Sequence, residues 1–288
     1  MRLLQIDYNP ERRKSRPSLL DDEMKKKNYH THTARCMHAV GTDEEFILAA
    51  IESGYSLIGF SDHSPWHYNS DFVSHMRMHE SEFDEYYHSI KALKEKYKDQ
   101  IEVLIALECE YFPQYMDWLK QLVEDYQLDY VILGNHYYQT DELRLYFGRK
   151  CREDDFFIKY IDSCIEGMKT GMYACLAHPD LFMRGRDQFD DLAREQSYRL
   201  CKAAKELNIP IEYNLAGVQT NDLTGEDGYP YDEFWKIAVE VGNDIIIGVD
   251  AHEPMCFTQT KYFDESYAKL KAMGAKLVDK INTRYYAK

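Results

Sequence analysis

The sequence has no long hydrophobic segment, and this absence limits where the protein can reside. None of its apolar runs approaches the about 20 residues that a helix needs to cross a bilayer. The beginning of the sequence also lacks the basic-then-apolar pattern of a signal peptide. We therefore expect no membrane partner and a cytoplasmic location.

Closely spaced cysteine pairs are missing as well. The seven cysteines are scattered along the chain, and none forms a CxxC pair. An odd number without such spacing is typical of reduced thiols and argues against a disulfide framework. We expect these cysteines to be mainly small core residues.

The chain has few positive charges relative to its acidic residues. It contains 35 lysines and arginines against 50 aspartates and glutamates, a formal net charge of −15. A surface this acidic repels a phosphate backbone, so we predict no nucleic-acid partner. Residues 1–27 are polar without periodicity, and we interpret them as an N-terminal extension in which the triplet 25–27 is a solvated linker.

From residue 28 onward, short apolar segments alternate with amphipathic ones. Seven segments are predicted to be buried parallel strands: 28–32, 56–61, 101–108, 129–134, 172–177, 209–214 and 244–249. Helical patterns follow at 43–53, 80–97, 114–126, 155–169, 187–207, 231–241 and 263–273. In the clearest of these, Thr42 and Glu45 can form a capping box, and Gly54 ends the helix. This alternation predicts an α/β barrel formed by a single domain over residues 28–288.

Potential metal ligands recur at the carboxyl ends of the predicted strands. They are His30, His32, His63, Glu108, His136, His178, Asp250 and His252, with His38 in the loop after the first strand. In a parallel barrel all these strand ends meet at one rim, where such enzymes carry out their chemistry. A lone histidine would more often be structural, but the recurrence of the whole set indicates a metal site.

The types of these ligands limit the metal and the reaction. Imidazoles and carboxylates without thiolate suit zinc, manganese or iron(II). Nine groups exceed what one ion binds, so we expect two or three divalent ions that share a carboxylate. Such a cluster can lower the pKa of a bridging water, present it as hydroxide and neutralise charge on a phosphoryl group. The sequence therefore predicts hydrolysis of a small phosphorylated metabolite, a phosphate monoester.

Several motifs resemble those of the polymerase and histidinol phosphatase (PHP) superfamily, and within it the monofunctional histidinol phosphatases. The resemblance includes residues 30–32 (HTH), 36–39 (CMHA), 41–45 (GTDEE) and 59–65 (GFSDHSP), and it extends to about residue 275. It implies a distorted seven-stranded (β/α)7 TIM-like barrel. It also implies hydrolysis of L-histidinol phosphate to L-histidinol and phosphate, a step of histidine biosynthesis.

The resemblance further implies a trinuclear site. One ion would be held by His30, His32, Glu108 and Asp250, and Glu108 would bridge to a second ion held by His136 and His178. The third would be held by His38, His63 and His252. Asp250 or His252 would assist proton transfer to the leaving alkoxide.

Four residues are candidates for contacts with the substrate. Arg35 lies between two predicted ligands and could hold a phosphate with its guanidinium or face solvent. Arg184 follows the histidine after the fifth strand and has a similar claim. Glu110, two residues beyond the predicted bridging glutamate, could contact an amine or support the metals. Asn214 ends the sixth predicted strand and could line the pocket.

Other functions stay open at this point. A phosphatase of the same superfamily acting on phosphotyrosine, nucleotides or sugar phosphates would have the same ligands, whereas the acidic surface disfavours a nuclease. An amidohydrolase barrel also begins with His-x-His but typically needs a lysine at the end of the fourth strand, where this chain has residues 134–136 (GNH). A non-catalytic metal-binding barrel would be expected to lose ligands, and none is missing.

Overall fold

The computed structural model describes residues 25–283. The strands are β1 (Lys26–Asn28), β2 (Tyr55–His63), β3 (Glu102–Cys109), β4 (Tyr130–Leu133), β5 (Cys175–Leu176), β6 (Ile211–Asn214), β7 (Asp244–Gly248) and β8 (Lys276–Leu277). The α-helices are α1 (Asp43–Glu52), α2 (Phe83–Tyr97), α3 (Met116–Tyr126), α4 (Phe147–Lys150), α5 (Asp154–Lys169), α6 (Asp191–Glu206), α7 (Leu215–Thr224), α8 (Asp232–Val241), α9 (Met255–Thr258) and α10 (Thr260–Met273). Short 3-10 helices lie at Ala34–Cys36, Glu80–Glu82, Pro113–Tyr115, Asp141–Leu143 and Leu181–Arg184.

The strands form one parallel sheet in which each strand pairs with its neighbour in the sequence. Parallel pairing needs long crossover connections, and the helices supply them. The sheet curls until the segments after β1 and β7 meet. There Thr31 pairs with Ala251, whose carbonyl oxygen accepts a hydrogen bond of 2.9 Å from the backbone N–H of His32. The architecture is therefore α/β and consistent with a TIM-like barrel.

The predicted number of seven strands is wrong, because the described residues contain an eighth, β8. It has only two residues, neither of them buried, so it leaves no apolar run in the sequence. The first strand also begins earlier than predicted, at Lys26, and ends at Asn28. Lys26 and Lys27 therefore belong to the sheet and not to a solvated linker. Residues 1–24 of the predicted extension lie outside the described residues, and the domain limits of 28–288 stay a prediction.

The helices follow the predicted pattern closely. The capping box of α1 is confirmed, since the side chain of Thr42 accepts a hydrogen bond from the N–H of Glu45, whose carboxylate accepts one from the N–H of Thr42. Helices α4, α7 and α9 were not predicted. No helix within residues 25–283 has the length and apolar content needed to cross a membrane.

The two faces of the sheet have different roles. On the outer face, residues such as Phe60, Ile105 and Ile247 pack against the helices in the larger core cluster. On the inner face, Leu104 and Ala106 belong to a smaller cluster that fills the interior of the curled sheet. Because side chains alternate along a strand, the inner face continues to the carboxyl end of each strand. At that end the inward-facing residues become polar.

Candidate metal centre

The inward-facing positions at the strand ends carry buried histidines and carboxylates. In β3, Glu108 lies two residues beyond Ala106 and therefore on the same inner face. His63 is its register partner at the end of β2. On β6, Glu212 and Asn214 also face inward, and all four polar residues are buried. The fold therefore brings polar groups from distant parts of the chain to one end of the sheet.

Glu108 lies at the centre of this group. Five histidine nitrogens come within 3.5 Å of its carboxylate oxygens, those of His30, His32, His63, His136 and His178. The shortest distances are 2.9 Å from Oε1 to Nε2 of His178 and 3.0 Å from Oε2 to Nδ1 of His63. A carboxylate with imidazoles around both oxygens has the arrangement of a bridging ligand.

Asp250 gathers a second set of imidazoles. Its Oδ1 lies 3.0 Å from Nε2 of His32 and 3.4 Å from Nε2 of His30. The ring of His252 stacks on that of His32 at a centroid distance of 4.1 Å. The Nε2 atoms of His30 and His32 are 3.1 Å apart. This matches the roughly 3 Å between two imidazole nitrogens that bind one ion at about 2.1 Å.

His38 completes the set at the exposed edge. Its ring centroid lies 4.8 Å from that of His252 and 5.4 Å from that of His63, and one ring nitrogen from each of the three lies within 4.8 Å of the others. The Nδ1 of His38 is 2.7 Å from the carbonyl oxygen of Cys36, which orients the ring. All nine predicted ligands thus lie in one contiguous group. Their division among individual ions stays a prediction.

Two buried carboxylates orient histidines through the second ring nitrogen. Asp62 Oδ1 lies 3.3 Å from Nδ1 of His32, and Glu212 Oε1 lies 2.9 Å from Nδ1 of His30. Such contacts fix the tautomer and the ring orientation of a metal-binding histidine. Glu212 was not predicted. The alternation of side chains could have indicated it, because it stands two residues before Asn214 on the same strand face.

Asn214 supports these carboxylates from behind. Its amide nitrogen donates to Glu212 Oε2 and to Asp250 Oδ2 at 3.0 Å each, and its own oxygen accepts from the N–H of Gly217 at 2.9 Å. It is fully buried and is not among the residues that line the cavity described below. The structure therefore places Asn214 beneath the site and not in the pocket wall, where it was expected.

Two glycines make room for the central carboxylates. A Cβ atom on Gly134 would overlap Oε1 of Glu108, and one on Gly248 would overlap Oε1 of Glu212. Both glycines lie at the ends of strands that flank the site. Glycine in or beside a strand is typical of such close approaches.

Two of the predicted ligands have an unusual backbone conformation. The φ angles of His178 and Asp250 are +30° and +51°, in a region that residues other than glycine rarely adopt. Surrounding hydrogen bonds hold His178 in place, including one of 3.2 Å from its N–H to Glu212 Oε2. Strain of this kind is characteristic of functional sites.

The electrostatics of the cluster favour cation binding. Burial, assisted by the charge on His32, lowers the pKa of His63 to about 3 and that of His252 to about 4, so both imidazoles are neutral at pH 7. Burial alone would raise the pKa of Glu108 and Asp250, but the positive charge of the surrounding imidazoles outweighs it and holds both values well below the usual range. In return the carboxylates outweigh burial and raise the pKa of His30, His32 and His178, so these imidazoles must lose a proton when they bind a metal ion. Neutral imidazoles and ionised carboxylates are the forms that bind metal ions.

Several buried donor atoms of the cluster lack hydrogen-bond partners, which also fits a site for divalent metal ions. Among the described residues, Glu108 Oε2, Asp250 Oδ1 and His63 Nδ1 are buried and form no hydrogen bond, because their contacts of 3.0 Å lack hydrogen-bond geometry. Buried polar atoms are rarely left in this state unless an ion or water satisfies them. Cys36 is close enough to join the set, but burial raises the pKa of its thiol to about 12 and keeps it protonated.

The cluster lies at the bottom of an open cavity of about 1000 Å³. We call its predicted metal ligands the cavity floor. Farther out, the cavity is lined by basic and aromatic side chains that we call the outer wall: Arg144, Arg149, Lys150, Arg184, Tyr146 and Tyr229. The outer wall comes from the segments that follow β4, β5 and β6.

Arg184, a predicted substrate contact, lies in the outer wall. It donates a hydrogen bond of 3.1 Å to the hydroxyl of Tyr146, and its guanidinium lies 6.0 Å from the ring centroid of Tyr229. The Tyr229 ring is in turn 6.0 Å from the ring of His178. Arg184 is therefore separated from the cavity floor by one aromatic ring.

Arg35, the other predicted phosphate contact, points elsewhere. Its guanidinium donates two hydrogen bonds of 2.9 Å to Asp43 and two more to Glu85, between α1 and α2. It does not line the cavity in the described part of the chain. The expectation that Arg35 holds a phosphate does not match this geometry, because two carboxylates already occupy the side chain.

Glu110 is similarly occupied, by the fully buried Arg77. The guanidinium of Arg77 donates to both carboxylate oxygens of Glu110 at 2.8 and 3.1 Å, and to Asp141 at 3.1 Å. The indole N–H of Trp66 donates to Glu110 at 2.9 Å. Glu110 Oε1 also lies 3.4 Å from Nδ1 of His136. Of the two roles considered for Glu110, this geometry fits support of a predicted ligand. It does not fit contact with an amine of the substrate.

Comparison with known proteins gives consistent matches. A model of the PHP domain matches residues 28–216. The chain is 27% identical over 238 residues to a protein named "Probable histidinol-phosphatase" from Deinococcus radiodurans, covering 78% of this chain and 85% of that protein. A protein of the same name from Schizosaccharomyces pombe is 26% identical over 250 residues, covering 78% and 80%.

One solved structure with a similar fold is the histidinol phosphate phosphatase from Lactococcus lactis, complexed with zinc, L-histidinol and phosphate. It superposes with a TM-score of 0.64 at 18% sequence identity, covering 90% of this chain and 97% of the other. At this identity the likeness shows that the two chains share a fold.

Proposed function

The chain belongs to the PHP domain family, and from this premise we propose that it is a metal-dependent phosphomonoester hydrolase. The observation that carries the proposal is the position of Glu108, whose oxygens lie within 3.5 Å of five imidazoles at the bottom of an open cavity. A purely structural carboxylate would not need five histidines, and the buried Nδ1 of His178 has no hydrogen-bond partner among the described residues.

We assign the cavity floor to three divalent ions, with zinc and manganese as the first choices. His30, His32, Glu108 and Asp250 would hold one ion, His136 and His178 a second shared through Glu108, and His38, His63 and His252 a third. When bound, such ions supply an activated water and neutralise charge on the phosphoryl oxygens. The pairwise distances given above and the mixed imidazole and carboxylate donors support this assignment.

The protein groups then have separate tasks. Asp62 and Glu212 hold His32 and His30 in fixed orientations. Arg184 is the candidate to bind a phosphoryl oxygen from the outer wall with charge-assisted hydrogen bonds. Asp250 and His252, with Nδ1 of the histidine 3.6 Å from Oδ1 of the aspartate, are both unprotonated at pH 7, so one of them would take up the proton that the attacking water loses and pass it to the leaving alkoxide oxygen.

L-histidinol phosphate is the first substrate to test, because the similar proteins described above carry that activity in their names. Purified protein loaded with zinc or manganese is expected to release phosphate from it. The same preparation should be tested on phosphotyrosine, nucleoside monophosphates and sugar phosphates. Release from these but not from histidinol phosphate would refute the substrate and leave the reaction class intact.

A variant separates catalysis at the cavity floor from activity of a contaminant. His136→Ala should reduce phosphate release from every substrate to background, since it removes a proposed ligand. His88→Ala, on the exposed side of α2, serves as the matched control and should retain the full rate. Unchanged turnover in His136→Ala would refute the assignment and favour the non-catalytic barrel.

A further inference from the structure

The outer wall concentrates positive charge in a strongly acidic protein. Four cationic side chains line the cavity beyond the cavity floor, although the chain as a whole has a net charge of −15. Arg144 and Arg149 are exposed, and neither side chain makes a hydrogen bond or an ion pair with any residue between 25 and 283. Lys150 lies 3.4 Å from Glu153, at the outer limit of a weak surface pair.

The acidic residues of the cavity are all occupied. Three carboxylates line it, and two of these, Glu108 and Asp250, belong to the cavity floor. The third, Asp141, is buried and accepts hydrogen bonds from Arg77 at 3.1 Å, from Ser74 at 2.9 Å and from Tyr68 at 2.7 Å. Among the described residues that line the cavity, no carboxylate is therefore left to bind an ammonium group.

The arginines of the outer wall fall into two groups with different contacts, which we call the inner layer (Arg184) and the outer layer (Arg144 and Arg149). Arg184 contacts Tyr146 and Tyr229, and Tyr229 packs near the His178 ring of the cavity floor. Arg184 is therefore connected to the cavity floor through one aromatic ring. Arg149 lies on α4 and Arg144 follows the 3-10 helix Asp141–Leu143. Within residues 25–283 neither guanidinium makes a hydrogen bond or a ring contact like those of Arg184. An anion bound by Arg184 would leave these two arginines without a counter-charge.

We propose that the outer layer, Arg144 and Arg149, binds a second anionic group on the leaving-group side of the substrate. That group is a carboxylate or a phosphate, both of which guanidinium groups recognise well. The inference rests on the proposed phosphomonoesterase function and deepens it. It predicts that a phosphomonoester bearing a second anion is a better substrate than L-histidinol phosphate, whose ammonium would face these cations.

Matched substrates test this directly. The phosphate esters of ω-hydroxy carboxylic acids, with chains of increasing length, are each compared with the alkyl phosphate of equal length. A parallel series of alkanediol bisphosphates distinguishes a phosphate from a carboxylate as the second anion. At the best length, one of the two series with a second anionic group should show a kcat/KM about 10- to 100-fold higher than the alkyl phosphate of equal length. This is the value of one or two charge-assisted hydrogen bonds. A ratio near one at every length would overturn the proposal.

Variants then locate the effect. Arg144→Gln and Arg149→Gln should each reduce the ratio of kcat/KM between the substrate with a second anion and the alkyl phosphate. The double variant should bring this ratio close to one. Arg152→Gln is the matched control, because Arg152 is an exposed arginine paired with Asp187 away from the cavity. If both arginine variants lowered kcat/KM for both substrates equally, the outer layer would act only by long-range attraction, and the proposal would be wrong.

A binding measurement keeps this inference separate from the proposed function. If metal-loaded protein hydrolysed none of these esters, the proposed function would fail. Calorimetry would still test anion binding by the outer layer, through the affinities of ω-carboxyalkyl phosphonates and of alkyl phosphonates. Tighter binding of the carboxylated compound that is lost in the double variant supports the proposal, and equal affinities contradict it.

Discussion

The cavity floor and the outer wall differ in burial and in the secondary structure that carries them, although they enclose the same cavity. The ligands of the cavity floor are largely buried and lie at or just beyond the ends of sheet strands, where neighbouring strands and carboxylates fix each ring. The cations of the outer wall are largely exposed and lie on short helices and turns between strands. We propose that the buried part performs the reaction and that the exposed part selects the substrate.

The two regions also differ in charge. The cavity floor collects carboxylates with depressed pKa values and fits divalent cations, whereas the outer wall presents guanidinium and ammonium groups to the same cavity. A phosphate monoester is suited to lie between them, since its oxygens can meet metal ions below and arginine above. The predictions below test whether the two regions really divide the work in this way.

The largest effect is expected at the centre of the cavity floor. Glu108→Gln keeps the shape of the side chain but removes the charge that five imidazoles surround. We expect kcat/KM to fall by about 1,000-fold or more, as for loss of a group that acts in the transition state, together with a fall in bound metal. Phosphate release and metal content per chain are measured on the same samples.

The matched control lies on the same strand. Glu102→Gln changes an exposed glutamate at the start of β3 and should leave both readouts unchanged. If Glu108→Gln lost less than tenfold in kcat/KM, the cavity floor would not be the catalytic region, and the division proposed here would be wrong.

A smaller effect, on stability, is expected from the buried ion pairs of Arg77 beside the cavity floor. Arg77→Met would leave the buried carboxylates of Glu110 and Asp141 without their counter-charge. Breaking a buried ion pair in this way costs about 3–5 kcal/mol of the free energy of unfolding. Denaturant titration measures this, with Arg152→Met, which breaks an exposed pair worth about 1 kcal/mol at most, as the reference. Equal losses in the two variants would contradict the structural role of Arg77.

A still smaller effect is expected from the inner layer of the outer wall. Arg184→Gln removes charge-assisted hydrogen bonds to the phosphoryl group and should lower kcat/KM by about 10- to 100-fold, with weaker inhibition by inorganic phosphate. Arg199→Gln, which changes an exposed arginine on α6, is the control. Unaltered phosphate inhibition in Arg184→Gln would remove this residue from the binding site.

The smallest effect on activity is expected at Arg35. Its substitution tests whether this residue binds phosphate, as its place in the sequence suggested, or only stabilises the fold. Because its guanidinium pairs with Asp43 and Glu85, Arg35→Gln should lower the free energy of unfolding by about 1–2 kcal/mol and change kcat/KM by less than about twofold. Kinetics and denaturant titration on one preparation measure both. A tenfold loss of kcat/KM without loss of stability would restore Arg35 to the substrate site.

The cavity floor could be predicted from the sequence because its residues obey a simple spatial rule. From His63 onward each predicted ligand lies at the end of an apolar run or just after it, and parallel strand ends converge whatever the details of the helices. Strand β8 could not be predicted in this way, because its two residues, Lys276 and Leu277, are too few to show periodicity. Glu212 was within reach of the rule, since it shares a strand face with Asn214.

The residues around the cavity floor could not be predicted in the same way. Arg77 lies in the segment between β2 and α2, where no periodic pattern indicates that a guanidinium will be buried against Glu110 and Asp141. The position of Arg35 depends on Glu85, 50 residues later in the chain. Such contacts depend on how loops and helices pack, which local sequence patterns do not encode.

The most direct test of the central claim is metal analysis combined with phosphate release on a single preparation. The account predicts three equivalents of divalent metal per chain, phosphate release that disappears on chelation, and recovery when zinc or manganese is restored. Removal of the metal should also lower the midpoint of thermal unfolding, because the ions bind the folded state. Phosphatase activity that is indifferent to chelation, in protein that retains no stoichiometric metal, would contradict the account.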